Sequence, residues 1–244
     1  MSHLLSTLAL SVALLALPTS SLAQSWLEKG SSLLKGFGFG ESELANDEIV
    51  AGLKEALKIG TGTVVGQLGA VNGFNADPVV RIPLPDTLTT VRNALAPLGL
   101  SGMLDDLETR LNRAAEDATP KAKAVFWDPI SVMTLDDARK ILDGSDDSAT
   151  RYFQSKMSNP LAREWRPIVD RSLTDVGAIR AYEDAIGEYA KLPFVPDVRA
   201  NLTEYVIEKG LDGVFHYLAQ EEADIRNNPL KRSTELLQKV FGVQ

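Results

Sequence analysis

The 244-residue chain has no cysteine. That excludes disulfides, thiolate zinc sites, thiol nucleophiles and covalent haem attachment. It also excludes the lipid attachment of bacterial lipoproteins, so the product is expected to be untethered. Histidine is almost as scarce: His3 and His216 are the two in the chain. A Ser-His-Asp relay would have to use His216, and a His-rich metal site cannot be assembled. His216 lies between Phe215 and Tyr217 on an apolar helix and is expected at the core or its boundary. Positive charge is in deficit, with 25 basic against 33 acidic residues and a net charge of -8. This is the wrong balance for nucleic acid, whose phosphates require clustered Lys and Arg. Beyond the amino terminus no apolar run approaches the roughly 20 residues of a spanning helix.

Charge is missing altogether from the first 23 residues, MSHLLSTLALSVALLALPTSSLA, which contain no Lys, Arg, Asp or Glu. Leu8 to Leu17 is apolar, Pro18 breaks the run, and Ser21-Leu22-Ala23 puts small residues where a signal peptidase reads them. Residues 1–23 therefore read as a secretory signal peptide cut after Ala23, an uncleaved amphipathic anchor being the alternative. The destination is the periplasm. Export would permit disulfides, so a chain without cysteine must be stable by packing alone. Residues 24–45 are rich in Gly and Ser and read as a mobile arm, although Trp26, Leu33, Leu34, Phe37 and Phe39 make it more than a spacer. Residues 46–244 form the folded part.

Helical periodicity fills that part, and no convincing strand interrupts it. The expectation is all-α: one bundle-like domain of about nine to eleven helices. Met133 to Phe153 is its best specified stretch. Thr134 and Asp137 have the spacing of a capping box, Leu135, Ala138, Ile141 and Leu142 make a stripe, and Gly144 suits a left-handed C-terminal position. Ser145 or Asp146 can start the next helix, with Ala149, Tyr152, Phe153 and Met157 buried. Ile49, Leu53, Leu57, Val64 and Leu68 share a face, and Gly60, Gly62, Gly66 and Gly69 on the same helix suggest the close approach of a neighbour. Pro78, Pro83 and Pro85 hold residues 71–85 extended, after which Asp86 caps a helix. Thr119-Pro120, Asn159-Pro160 and Asn228-Pro229 read as helix starts, and Asn201 with Glu204 as a second capping box.

The segments IVAGLKEALKIGT, FNADPVVRIPLPDTL, LNRAAEDA, MTLDDARKILDGSDDSATRYF and IRNNPLKRSTELLQKVFG, in that order, resemble the domain-of-unknown-function 4197 family. The resemblance covers about Asn46 to Gly242. It implies an exported protein of Gram-negative bacteria with a single helical domain in the periplasm, and it carries no activity, catalytic residue or cofactor.

Polar residues beside the core mark the candidate site. At about 100° per residue, the helix from Ser101 to Ala118 centres its apolar stripe near Leu107 and Leu111. Glu108 lies at the stripe's edge, and Asn112 and Glu116 continue its row at i+4 spacing. A carboxylate beside a core must be paired, protonated or wet. Arg81, in the extended stretch, and Arg139 are the expected partners. Arg113 is placed on the far side of the wheel. Arg81, Glu108, Asn112, Arg113, Glu116 and Arg139 are thus the candidate ligand-binding residues; no catalytic residue, cofactor or metal is assigned. Asp143-Gly144-Ser145-Asp146-Asp147 imitates a calcium loop, but its glycine falls second rather than sixth and Gln154 stands where a bidentate Glu belongs. It reads as a solvated helix connection, and Glu221, Glu222, Asp224 and Arg226 read as a solvated charged face. The leading expectation is a non-catalytic binding or interaction module whose partner is unassigned, a small ligand or a periplasmic protein. The alternative is a small-ligand carrier or carboxylate enzyme with its pocket around Glu108, Asn112 and Arg81; a calcium-stabilised scaffold ranks third. An enclosed pocket of several hundred Å³ at Glu108 would favour the ligand reading, and a filled core surface partners.

Overall fold

A computed structural model describes residues 46–121, 123–196 and 200–242; the signal peptide and the arm lie outside these. Among the described residues there are nine α-helices and no strand. They are α1 (Asn46–Leu68), α2 (Asp86–Leu95), α3 (Gly102–Lys121), α4 (Trp127–Ser131), α5 (Leu135–Leu142), α6 (Ser148–Asp175), α7 (Ala178–Tyr189), α8 (Leu202–Asn227) and α9 (Glu235–Phe241). Three short 3-10 turns, Ala96–Leu98, Lys123–Phe126 and Pro229–Lys231, join some of them. The class and the helix number agree with the periodicity.

Helix α3 is the central element, packed against α6, α7 and α8 and touched by α1 and α2. Its stripe of Leu104, Leu107, Leu111, Ala114, Ala115 and Ala118 is wholly buried. The alanines leave room for a large partner, and Trp165 of α6 fills it, with its ring nitrogen donating to the Ala118 carbonyl at 3.4 Å. From the other side α8 accommodates the same ring at Gly210, where a Cβ would lie 2.9 Å from the indole. Burial of side chains of this size contributes about 1.5–3 kcal/mol each, which is why the core follows these positions.

The prolines do not start helices as their neighbours in sequence suggest. Helix α3 runs through Thr119 and Pro120, and α6 is one helix of 28 residues that contains Pro160 and Pro167. Phe153, Leu161, Trp165, Val169 and Leu173 are buried on either side of those prolines. That burial outweighs the cost of the lost backbone bonds. Asn228-Pro229 opens only a 3-10 turn; α9 begins later, capped by the Thr234 hydroxyl on Leu237 N at 3.2 Å. Nor does Asp86 cap α2: Pro85 holds that position, with no side-chain cap.

Local signals elsewhere are met. Thr134 and Asp137 form the full capping box, and the Asn201 side chain caps α8 on Glu204 N at 3.1 Å. Gly144 is not left-handed, the two positive-φ glycines among the described residues being Gly99 and Gly177. A glycine is needed at 144 for space, since a Cβ would lie 2.1 Å from Ser148 Oγ. In the next helix Ala149 and Phe153 are buried and Tyr152 half-buried, while the Met157 side chain lies outside the described set. Of the four glycines on and after α1, Gly60 meets Leu218 and Gly69 meets Pro120, whereas Gly62 and Gly66 face open space.

Candidate functional site

The stretch after α1 is not extended throughout: it folds in successive turns over residues 69–80 and is extended only over 81–85. It lies along α3, and the row Glu108-Asn112-Glu116 fastens it there. Asn112, wholly buried, mimics a strand partner: its Oδ1 accepts from Ile82 N at 2.8 Å and its Nδ2 donates to Ile82 O at 2.7 Å. Glu116 accepts from Phe74 N at 3.2 Å and Asn75 N at 2.9 Å, and from Arg113 Nη1 at 2.5 Å. Arg113 also donates to Asn72 Oδ1 at 2.8 Å, so it joins the row instead of pointing to the far side. Its long side chain reaches back over the intervening turn, which a wheel drawn on Cα directions does not show. Arg81 pairs with Glu108 at 2.8 Å, its side chain 46% exposed against 14% for Glu108. Arg139 is elsewhere: it donates to Asn46 Oδ1 at 2.5 Å on the outside of α5 and has no part in the row.

These contacts bring five of the six candidates together, and each of their charged groups meets the chain itself. The row straps residues 72–82 to α3, and Phe74, Val80 and Ile82 are thereby seated in the core. Asn75 Oδ1 is the one buried side-chain oxygen without a partner among the described residues.

A second buried polar centre lies where a solvated face was expected. Glu222 and Arg226, one turn apart on α8, pair at 2.9 Å with side chains 7% and 3% exposed. The Glu222 carboxylate accepts from Ala149 N at 2.9 Å and from Thr150 N and Oγ1 at 2.8 Å. The Arg226 guanidinium donates to Ile141 O at 2.8 Å and Leu142 O at 3.2 Å and lies 5.5 Å from the Phe241 ring centroid. An anion thus caps the start of α6, and a cation caps the end of α5, each sign matching the helix dipole. Asp147, the N-cap residue of α6, makes no side-chain cap bond of its own. The pair was detectable in principle. Leu211, Val214, Phe215, Leu218 and Ile225 make an apolar stripe, and extending it by one turn places 222 and 226 on the same face.

Other polar residues hold fixed charge. Burial raises Asp117, but hydrogen bonds from Lys121 Nζ at 2.5 Å and Ser172 Oγ at 2.7 Å bring it below the ordinary carboxylate value. Hydrogen bonds from Thr134 and Tyr152 do the same for Asp137. The acidic turn after α5 is engaged internally, Asp147 accepting from Ser145 Oγ and Arg151 Nε, both at 2.7 Å. Among the described residues no three His, Cys, Asp or Glu side chains converge as a metal would require. His216 is on the exposed side of α8, 2.9 Å from Gln220 Nε2 and edge-on to Tyr217, not in the core.

Space is distributed in the same way. A cavity inside the core between α1, α6, α8 and α9, lined by Leu57, Leu218 and Phe241, holds only about 10 Å³. The larger recesses are open. One of about 650 Å³ lies between the start of α3 and the α6–α7 turn, lined by Met103, Asp106, Arg110, Ile179 and Arg180 among others. Another, of about 570 Å³, continues along α3 past Arg110 to Arg113 and Glu116. Arg110 separates them, anchored to Asp106 at 2.7 Å and to the Val176 carbonyl. No described helix is long and apolar enough to cross a membrane.

No curated protein and no solved structure matches this chain. One family model does, over residues 43–242, most of the chain and all of the described residues. The chain belongs to the family described as protein of unknown function, DUF4197.

Proposed function

We propose that this is an exported periplasmic protein that acts by binding a protein partner and not by catalysis, with the open cleft between α3 and the α6–α7 turn as its contact surface. The observation that carries the reading is the engagement of the buried row. Asn112 and Glu116 are bonded to the backbone of residues 74–82, and Glu108 to Arg81. Those groups secure the fold and offer nothing to a substrate. The alternative of a carrier or carboxylate enzyme around Glu108, Asn112 and Arg81 would need the same groups free around an enclosed space. The cleft, in contrast, presents both signs of charge and the partly exposed Ile179, the mixed character of a transient protein interface.

The test is a photo-crosslinking residue placed at Ile179 in the producing cell, with one at the exposed Arg171 as comparison. A discrete adduct from position 179 alone is expected; equal yields at both would overturn the assignment. Native mass spectrometry of the same material should give a polypeptide beginning at Gln24 with no stoichiometric small molecule. A retained ligand would favour the carrier.

A further inference from the structure

We propose that the face made by α4 and the adjoining part of α1 docks on the anionic headgroups of a phospholipid bilayer. Its centre is Trp127, 37% exposed although most large apolar side chains of the fold are buried. Lys58 Nζ lies 5.7 Å from the indole centroid and Lys123 Nζ 5.5 Å, so two ammonium groups flank one ring. One turn before Lys58 on α1, Lys54 donates to Ser131 O at 2.7 Å. The next residue, Val132, is 72% exposed. The lysines of α1 therefore run beside α4 and end at a second apolar tip.

On a chain of net charge -8 this grouping is unusual. Lys54, Lys58 and Lys123 make no ion pair with any described carboxylate, and Glu55, next to Lys54 in sequence, pairs with none of them. Elsewhere the exposed cations of the fold are commonly paired, as Arg92 is with Asp105 and Lys239 with Glu48. The charges select an anion. The mixture selects its class: an acidic peptide held by the ammonium groups alone would leave the indole and the valine in water. A bilayer surface takes both, because indole settles at the headgroup level and lysine meets lipid phosphate. With three lysines the attachment is reversible and sensitive to salt. This surface is separate from the Ile179 cleft, so either assignment can fail alone.

The experiment is co-sedimentation of the processed chain with vesicles of phosphatidylcholine, with or without phosphatidylglycerol. Binding is expected to the anionic vesicles and to fall at high salt. Each lysine near such a surface is worth about fivefold in partition, so the double variant Lys58→Glu, Lys123→Glu should lose about 25-fold or more. Both lysines are exposed, and an unchanged circular dichroism spectrum confirms that the variant folds. Trp127→Ala should weaken binding while keeping its salt dependence. Equal partition of wild type and double variant, or equal binding to neutral vesicles, would overturn the proposal. So would binding to immobilised polyglutamate, lost in the double variant, with none to vesicles; the face would then belong to an acidic protein.

Discussion

Replacing Glu222 by alanine would leave the Arg226 guanidinium in a site only 3% exposed and would uncap α6. Breaking a buried pair in this way costs about 3–5 kcal/mol, a large share of the roughly 5–15 kcal/mol that holds a domain together. Asn112→Ala would orphan the N–H and C=O of Ile82, at about 1–3 kcal/mol. Glu108→Ala costs less, under about 1 kcal/mol, because Arg81 is half-exposed and returns to water. Thr109→Ala, half-buried on the side of α3 away from its apolar stripe, should shift stability by under about 0.5 kcal/mol. Urea midpoints should therefore rank Glu222, Asn112, Glu108 and Thr109 in falling order of loss. A larger loss at Glu108 than at Glu222 would contradict the geometry. Asp137 adds a dependence on pH. Its carboxylate is held below its ordinary value first by Thr134, then by Tyr152. Its stabilising contribution is therefore complete above the unfolded value near 3.9 and is lost as pH falls through the lower native value. Asp137→Asn should lower stability at neutral pH, leave strong acid less affected, and so flatten the acid limb of a stability curve.

For helices, space decides the sign of a glycine substitution. Gly62 faces nothing within 4 Å, so Gly62→Ala should stabilise α1 by up to about 1 kcal/mol. Gly52 lies on the same helix against α9, where a Cβ would stand 2.5 Å from a methyl of Val240. Gly52→Ala should therefore lose about 1–3 kcal/mol by overpacking. Thermal unfolding of the two variants checks both directions. The same distinction between local and distant causes explains what could be read in the sequence. The Thr134–Asp137 box and the stripe of α3 are set by neighbours a few residues away, whereas the Arg81–Glu108 pairing, 27 positions apart, was legible because each residue lies beside an apolar run and needs a partner. Pro120 and Pro160 misdirect, because a start signal is local and the burial of Leu161 and Trp165 is not. Glu222 and Arg226 sit in an acidic run, and only the continuation of the Leu211–Leu218 stripe betrays them. Arg139 and Arg113 depend on where long side chains reach, which spacing leaves open.

At the scale of the molecule, the family match begins at residue 43 and α1 at Asn46. A chain starting at Glu43 is therefore expected to unfold at the same urea midpoint as one starting at Gln24. A fall would place the arm inside the cooperative unit. The strap, the cleft and the Trp127 face are all built from residues within the described part of that unit.

Helix α9 packs on α1: Val240 against Gly52, and Lys239 paired with Glu48 at 2.5 Å. Phe241 lies over Arg226, whose guanidinium also closes α5. Of the nine described helices, the ribosome makes α9 last, and without it the part of the first helix around Gly52 loses its cover. The native state is thus out of reach until nearly the whole polypeptide has emerged, because its closing contact joins residues nearly two hundred positions apart. The proposed export requires that folding be postponed, and the order of synthesis contributes to that delay.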